Sequence, residues 1–418
     1  MIIKGIRGFK DILPEETEKW FFVESEARRI FRLFGFAEIR IPLLERTELF
    51  ARSIGEATDI VSKEMYTFRD RDGDSLTLRP EATASIMRAY LEHGLHVKEP
   101  VGKYYFIGPM FRHERPQKGR YRQFHQIDAE ILGVQDPQAD AEILVMLVRF
   151  LETLKIPNIT LQLNSLGCPA CREPYRAEIQ AFLRRKQEGL CEDCQRRLEA
   201  NPLRIFDCKK EACQALLDDA PIILDFLGED CRRHFEEVQG LLRDLGISFA
   251  LNPRMVRGLD YYTRTAFEVI AGDLGAQNAV AGGGRYDGLA KDIGGPPIPG
   301  IGFAIGMERL ILLLDGAQAF SSRPDVFLAT LGERAKREGF SWAQRLRGAG
   351  LRVELDYEGK SLKSQMRKAD RSKAPYVLIL GEDELHRGYV TLRNMATQTQ
   401  EEVPLAEIGN RLKNLKMG

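Results

Sequence analysis

At 418 residues the chain is long enough for two or three domains. Its 44% hydrophobic and 29% charged residues, with 61 Lys+Arg balancing 61 Asp+Glu, exclude disorder, a collagen-like repeat and an overall basic coat for nucleic acid. No apolar run approaches the roughly 20 residues of a membrane span, and Met1 to Glu16 holds no signal-peptide pattern, so a soluble, cytoplasmic protein is expected. The neutral total conceals an asymmetry: residues 321–418 carry 18 Lys+Arg against 13 Asp+Glu, leaving a net of −5 on the rest. A modestly basic C-terminal part suits a polyanionic partner, or simply a solvated surface.

In chain order, Glu15 to Phe34 predicts an amphipathic helix, with Trp20, Val23, Ala27, Ile30, Phe31 and Phe34 at helical spacing and Gly35 as its stop. A strand is expected from Phe36 to Pro42, hairpin strands at Met65–Phe68 and Ser75–Leu78, and a helix from Ala82 to Glu92. Lys103–Arg112 and Arg122–Leu132 predict two strands around a charged loop, and residues 139–155 a helix. From about 165 to 245 the text turns to charged, cysteine-dotted helix, an insertion in a strand-rich domain. Strands resume at Phe267–Ile270 and Ala279–Gly282, and Gly306–Leu314 predicts a helix. Ser321-Ser322-Arg323-Pro324 is the expected linker, so that residues 1–320 form one domain, 321–325 the connection and 326–418 another. In the last, strands at Val326–Thr330, Arg352–Leu355, Tyr376–Leu380 and Tyr389–Leu392 alternate with helices, which predicts a small α/β unit.

All seven cysteines fall between Cys168 and Cys231. An odd count with no sign of export argues against a disulfide framework. Cys168-Pro-Ala-Cys171 and Cys191-Glu-Asp-Cys194, with nineteen residues between, have the spacing of a tetrahedral structural Zn2+ site. Cys208 and Cys213 are alternates, and the competing reading is of small buried apolar side chains.

The loop after the first long strand crowds Arg112, Arg115, Lys118, Arg120 and Arg122 against the single acid Glu114. Such a loop repels itself unless it faces anions, and its preponderance of Arg over Lys favours bidentate phosphate recognition over a mobile solvent loop. In the following strand, period 2 puts Gln126, Asp128 and Glu130 on one face, which either grips a polar ligand or meets solvent.

This loop resembles motif 2 of class II aminoacyl-tRNA synthetases. Gly35-Phe36 to Pro42 resembles their dimer-forming motif 1, and Gly300-Ile-Gly-Phe-Ala-Ile-Gly-Met-Glu-Arg309 their motif 3. Arg257-Gly-Leu-Asp-Tyr-Tyr262 and Ala281-Gly-Gly-Gly-Arg-Tyr-Asp-Gly-Leu289 are similar to the two signature peptides of the histidyl-tRNA synthetase family, and Arg7-Gly-Phe-Lys-Asp-Ile-Leu-Pro14 fits the same pattern. The resemblance spans essentially the whole chain. It implies an α+β fold: an antiparallel sheet flanked by helices, a helical insertion at about 168–245 and a C-terminal α/β anticodon-binding domain. It further implies a homodimer that joins L-histidine to tRNA(His) in protein synthesis, through a histidyl-adenylate made from histidine and ATP, with Mg2+ offsetting phosphate charge.

By the same resemblance Arg112 binds the α-phosphate, Arg309 the γ-phosphate, and Arg120 and Gly284 also serve ATP. Glu81, Thr83 and Gln126 hold the histidine amino group; Glu130 and Tyr262 read the imidazole, with Tyr261 beside them; and Arg257 touches both carboxylate and α-phosphate. Gly282, Gly283 and Gly284 admit backbone close to the substrates. Ala82 departs from the family, which often has Gly after the glutamate. If residues 257–262 are extended, Tyr261 and Tyr262 point to opposite faces and one is plain core.

The chemistry implied is consistent with these residue types. The histidine carboxylate is already ionised, so activation requires no general base; it requires fixed cations where two anions meet, as Arg112, Arg257 and Arg309 supply. A pocket that hydrogen-bonds both ring nitrogens rejects apolar analogues by about 10^4 or more without editing. Gly300-x-Gly302-x-x-x-Gly306 lacks the dinucleotide-loop spacing. His113 and His125 are expected to orient or to touch tRNA, since the reaction needs no histidine base. Lys360, Lys363, Arg367 and Arg371 predict one basic helical face for tRNA. The alternative is a histidine-sensing regulatory paralogue of ATP phosphoribosyltransferase; that paralogue typically lacks the C-terminal domain and loses the signature residues, both of which this chain keeps.

Overall fold

The computed structural model describes residues 2–55, 58–272, 278–314 and 323–417. They fall into two compact units, 1–319 and 320–418. Of the expected linker, Ser321 and Ser322 lie outside the described residues.

The first unit begins with the helix Pro14–Leu33. Proline at its start, Glu15 and Glu16 in the first turn and Arg32 in the last all suit the helix dipole, and Gly35 ends it at φ +79°, a conformation that disfavours a side chain. Strands β1 (Ala37–Glu38), β2 (Leu44–Arg46), β3 (Tyr66–Arg69), β4 (Ser75–Leu78), β5 (Gly102–Phe111), β6 (Gln123–Leu132), β7 (Ile159–Ser165), β8 (Ala250–Leu251), β9 (Thr263–Ala271), β10 (Ala279–Arg285) and β11 (Gly300–Gly306) follow. Six of them form an antiparallel sheet in the order β5-β6-β11-β10-β9-β7, and the two-residue strands β1 and β8 extend it in parallel at its edges. A small antiparallel sheet β2-β4-β3 carries the expected hairpin and one unexpected partner, β2.

Three differences from the sequence reading have simple causes. The strand expected over Phe36–Pro42 pairs regularly only at Ala37–Glu38, because it is a sheet edge with a single neighbour. Strand β7 was not expected beside the insertion. The Gly300–Gly306 string, too glycine-rich to score as strand, is the sheet's central strand β11.

One face of the sheet is covered by helices Pro14–Leu33 and Pro137–Thr153. Phe31 sits between them and the sheet, with ring centroids 5.5 Å from Tyr105, 5.6 Å from Phe150 and 5.9 Å from Phe303. The register places Tyr105, Ala129 and Phe303 in one row on this apolar face. The alternate row, Tyr104–Glu130–Gly302–Gly284–Ala266, faces the other way, as do Phe106–Asp128–Ala304–Gly282–Glu268 and Gly108–Gln126–Gly306. Small residues on β10 and β11 thus hollow out the second face.

Between β7 and β8 the insertion forms helices Pro169–Arg184, Glu192–Ala200, Glu211–Ala215 and Glu229–Asp244, joined by short turns. It closes on a core of its own that includes Tyr175, Ile179, Leu198 and Ile205.

The second unit has strands β12 (Val326–Thr330), β13 (Val353–Leu355), β14 (Tyr376–Leu380), β15 (Tyr389–Asn394) and β16 (Gln400–Pro404) in the order β13-β12-β14-β15-β16. The first three are parallel and the last two antiparallel. Helices Glu333–Gly348 and Leu362–Arg371 supply the crossovers. Among the described residues no helix is long and apolar enough to cross a membrane.

Candidate active site

The hollow face of the first sheet bears a cleft of about 270 Å³, lined by an acidic group (Glu81, Thr83, Gln126, Asp128, Tyr261 and Tyr262) and an arginine group (Arg112, Arg120 and Arg309) with Arg257 and Glu268. Arg112 joins the two, since the charges of Glu81 and Asp128 both act on it.

The acidic end begins at the start of helix Thr83–Glu92, where the Glu81 carboxylate accepts the N–H groups of Thr83 and Ala84, each at 2.9 Å. Tyr261 donates its hydroxyl to the same carboxylate at 3.3 Å. Ala82 lies at φ −99°, where a methyl group costs nothing, so the departure from glycine leaves Glu81 in place. Thr83 Oγ1 donates to Glu130 at 2.7 Å, and Tyr286 donates a short hydrogen bond to the other oxygen of Glu130. Burial pushes the Glu130 carboxyl up to about 8, even though both hydrogen bonds favour the carboxylate. Burial likewise raises Glu81, and burial with the nearby Glu130 and Glu81 holds Asp128 well above the usual carboxylate range. Asp128 Oδ2 and Gln126 Oε1 are buried without a protein partner. Two orphaned acceptors on a cavity wall are a cost that a cationic, donor-bearing ligand removes.

Glycine makes this geometry possible. A Cβ on Gly302 would lie 1.5 Å from Glu130 Oε2, and one on Gly282 would lie 2.5 Å from Arg257 Nη2. Gly284 is closed in by Thr265 O and the Tyr262 ring.

At the other end, Arg112 donates to Pro80 O at 2.9 Å and lies over the Phe124 ring at 5.2 Å. Arg120 pairs with the buried Glu114, and Arg309 donates to Ala279 O at 2.7 Å. Burial lowers the pKa of all three; for Arg120 the charges of Arg309 and Arg112, and for Arg309 that of Arg112, add to the effect. Three cations that disfavour one another in a cleft form an anion site. Arg257 differs. Burial pulls its pKa down, but Glu268, which it grips, and the Tyr262 ring 5.5 Å away more than offset this.

The structure therefore brings Glu81, Thr83, Arg112, Arg120, Gln126, Arg257, Tyr261, Tyr262 and Arg309 to one cleft, with Glu130 and Gly284 in its sheet floor. Tyr261 and Tyr262 do not diverge: they lie in a turn before β9, their ring centroids 4.7 Å apart, and both line the cleft. His125 stands aside, its ring and backbone N–H held by Glu308 and its ring against Trp20. The loop is steadied by the chain start, where Gly8 O accepts the Arg122 N–H and Phe9 packs on Phe111.

Sequence reasoning missed Tyr286 and Glu268 as site residues, and gave Asp128 a place on the ligand face between Gln126 and Glu130 but no role. Tyr286 lay inside a quoted signature string. Its neighbour Arg285 is fully buried against Asp140, which also pairs with His234 at 3.1 Å.

The structure does not join the two Cys-x-x-Cys pairs in one site, a correction to the expected quartet Cys168, Cys171, Cys191 and Cys194. Cys191 and Cys194 gather with Cys208 and Cys213, and Cys168 and Cys171 with Cys231, because different helices of the insertion carry the two pairs. In the second unit Lys360, Lys363, Arg367 and Arg371 are all exposed, but helix Leu362–Arg371 carries only the last three; Lys360 precedes it and pairs with Glu358 at 2.5 Å, a correction to the expected single helical face. Lys368, on the same helix, is tied to Asp356 and Glu358.

An antiparallel sheet with helices on one face and, on the other, a cleft flanked by an arginine loop is the fold of class II aminoacyl-tRNA synthetases. The family model described as histidyl-tRNA synthetase matches residues 8–310, and that of an anticodon binding domain matches 325–415. Histidine–tRNA ligase of Syntrophotalea carbinolica is 55% identical over 412 residues, covering 99% of this chain and 98% of that protein; that of Geobacter metallireducens is 56% identical, covering 97% and 98%. The crystal structure of apo S. aureus histidyl-tRNA synthetase is 35% identical with a TM-score of 0.83, covering 99% of this chain and all of that one. A Bacillus halodurans ATP phosphoribosyltransferase regulatory subunit/histidyl-tRNA synthetase, 19% identical with a TM-score of 0.66 over 91% of this chain and 99% of that one, shares the fold. The chain belongs to the histidyl-tRNA synthetase family.

Proposed function

We infer that the chain ligates L-histidine to tRNA(His) in two steps, through a histidyl-adenylate. One observation supports the reading above the others: a buried, partly unsatisfied acidic pocket opens directly onto a cluster of arginines, in a chain whose curated relatives carry the same activity in their names.

The histidine ammonium sits against Glu81, Thr83 and Gln126, with Asp128 close by. Glu130, oriented by Thr83 and Tyr286, accepts an imidazole N–H, and Tyr262 reads the other side of the ring beside Tyr261. ATP enters as its magnesium complex, with Arg112 at the α-phosphate and Arg120, Arg309 and the Gly284 backbone along the nucleotide. Arg257 then holds the histidine carboxylate against the α-phosphate. The carboxylate oxygen attacks phosphorus, the bond to the bridging oxygen breaks, and pyrophosphate leaves. Negative charge spreading over the phosphoryl oxygens meets three preplaced guanidinium groups, the effect that lowers the barrier. In the second step a terminal ribose hydroxyl of tRNA attacks the histidyl carbonyl and AMP leaves with the bonding electrons.

The regulatory alternative is disfavoured, since the chain keeps an anticodon-binding unit and the arginine set. Exposed Lys363, Arg367 and Arg371 serve as the tRNA-facing side of that unit. The protein acts as a cytoplasmic homodimer. Support for the dimer comes from exposed apolar side chains, Phe21 and Leu33 on helix Pro14–Leu33 and Leu43 and Leu44 after β1, which a partner would cover. Light scattering that gives the mass of one chain would remove the dimer.

The deciding experiment is ATP–pyrophosphate exchange with each of the twenty amino acids. Exchange with histidine alone, followed by charging of tRNA(His), is the expected result. Histidine binding without exchange would sink the ligase reading and restore the regulatory one.

A further inference from the structure

The insertion holds a cluster of chemistry-bearing side chains that the reaction does not use. Cys191, Cys194, Cys208 and Cys213 place their four sulfur atoms within 4.8 Å of one another. The Sγ atoms of Cys191 and Cys208 are 3.9 Å apart, and all four thiols are free. A tetrahedron of zinc–sulfur bonds of about 2.3 Å sets its sulfurs about 3.8 Å apart, whereas a disulfide needs about 2.05 Å. The spacing therefore fits a shared cation and not a cross-link.

Ordinary burial does not account for the arrangement. Cys194 and Cys213 are buried in the insertion core, but Cys191 and Cys208 are only half-buried, at its edge. Yet all four sulfurs converge. The backbone is shaped for them as well. Cys191 stands at the N-terminal cap of helix Glu192–Ala200 and Cys194 in its first turn, where amide N–H groups favour negative charge. The backbone N–H of Cys191 points at Cys213 Sγ at 3.3 Å, the kind of donor that supports a metal-bound thiolate. The surrounding segment is built of short helices and turns with a small core, the setting in which a structural metal contributes most to folding.

We propose that Cys191, Cys194, Cys208 and Cys213 bind one structural Zn2+ as a closed four-thiolate site. The second group, Cys168, Cys171 and Cys231, offers three sulfurs and, among the described residues, no fourth ligand. It is not part of the proposal.

The site has a purpose visible in the fold. Its ligands bracket residues 195–207, and that stretch docks the insertion on the sheet domain. Arg204 reaches Asp260 at 2.7 Å, Asn201 reaches the same carboxylate at 3.3 Å, and Arg197 reaches Asp59 at 3.4 Å. Asp260 immediately precedes Tyr261. The metal thus fixes the support of a cleft wall, and its loss raises KM for histidine more than it lowers kcat. This last consequence rests on the function proposed above; the metal site does not.

The test is elemental analysis of the full-length protein purified in reducing buffer without chelator, with Cys208→Ser/Cys213→Ser and Cys168→Ser/Cys171→Ser as variants. About one zinc per chain is expected in the native protein and in the second variant, and almost none in the first. Because the first variant risks misfolding, cobalt is exchanged into the native protein as an independent measurement. Tetrahedral thiolate coordination then shows visible d–d bands with sulfur-to-cobalt charge transfer in the near ultraviolet. Native protein that takes up no zinc or cobalt and leaves these thiols freely titratable would overturn the proposal. So would zinc lost from the Cys168→Ser/Cys171→Ser variant alone. Neither result touches the exchange assay, so failure here is separable from failure of the ligase reading.

Discussion

The two ends of the cleft are built on opposite principles. At the histidine end, carboxylates are buried among hydroxyl donors and small residues, and burial raises the pKa of Glu81, Asp128 and Glu130. At the phosphate end, guanidinium groups crowd one another and burial lowers the pKa of Arg112, Arg120 and Arg309. In both places burial disfavours the charged form despite the hydrogen bonds that hold it, and a ligand of matching charge offsets that cost. Arg257 lies at the junction and is the exception, since Glu268 already holds it charged. On the function proposed above, the contrast leaves selectivity to the hydrogen-bonded acidic pocket and rate to the arginine set.

The largest break in this division comes from the junction. Arg257→Ala should lower histidine-dependent exchange by about 10^3-fold, mainly in kcat, because the lost interaction strengthens as charge develops. Arg257→Lys should recover little, since a single ammonium does not bridge carboxylate and phosphate. A loss confined to KM would contradict the junction role.

Next in size is Gly302→Ala. The added Cβ would lie 1.5 Å from Glu130 Oε2 and 2.6 Å from the Ala129 carbonyl oxygen, so the Glu130 carboxylate and the neighbouring backbone must shift. KM for histidine should rise about 10^2-fold while KM for ATP changes little. Thermal unfolding of the variant separates this displacement from general loss of fold.

The pH dependence sharpens the comparison further. With the Glu130 carboxyl at about 8, ionisation improves histidine binding, so kcat/KM for histidine should climb as pH rises toward 8. Tyr286→Phe removes a hydrogen bond that favours the carboxylate, which moves the midpoint to higher pH and weakens histidine binding about tenfold. Stability runs the other way. The folded protein keeps the Glu130 proton up to about 8 while the unfolded chain releases it near the ordinary value of 4.5. Stability therefore falls between those pH values, and Glu130→Gln should flatten the decline in melting temperature. A melting curve unchanged by that substitution would argue against a buried, protonated Glu130.

The smallest effects belong to the second unit. Lys363→Ala, Arg367→Ala and Arg371→Ala should each raise KM for tRNA a few-fold and reduce the salt slope of binding by about one, with amino-acid activation untouched.

Much of this molecule was legible before any coordinates. Helical periodicity marked Pro14–Leu33, long alternating runs marked β5 and β6, and five short strings in order carried the family and most of the cleft residues. Local pattern records which residue types sit at which spacing, and that suffices for amphipathic helices, hairpins and an arginine loop. What it does not carry is which distant strands become neighbours. Gly300, Gly302, Ala304 and Gly306 carry no strand pattern in sequence; only their pairing opposite Leu132, Glu130, Asp128 and Gln126 makes them the floor of a pocket. Tyr261 and Tyr262 would diverge only if their segment were extended, and a turn instead brings the two rings together. The cysteines show the division most plainly. Spacing determined that thiols come in pairs three apart, whereas the path of the insertion decided that Cys191 and Cys194 meet Cys208 and Cys213 rather than Cys168 and Cys171. Which groups share a site is decided by long-range packing, because a close approach in space places no constraint on separation along the chain.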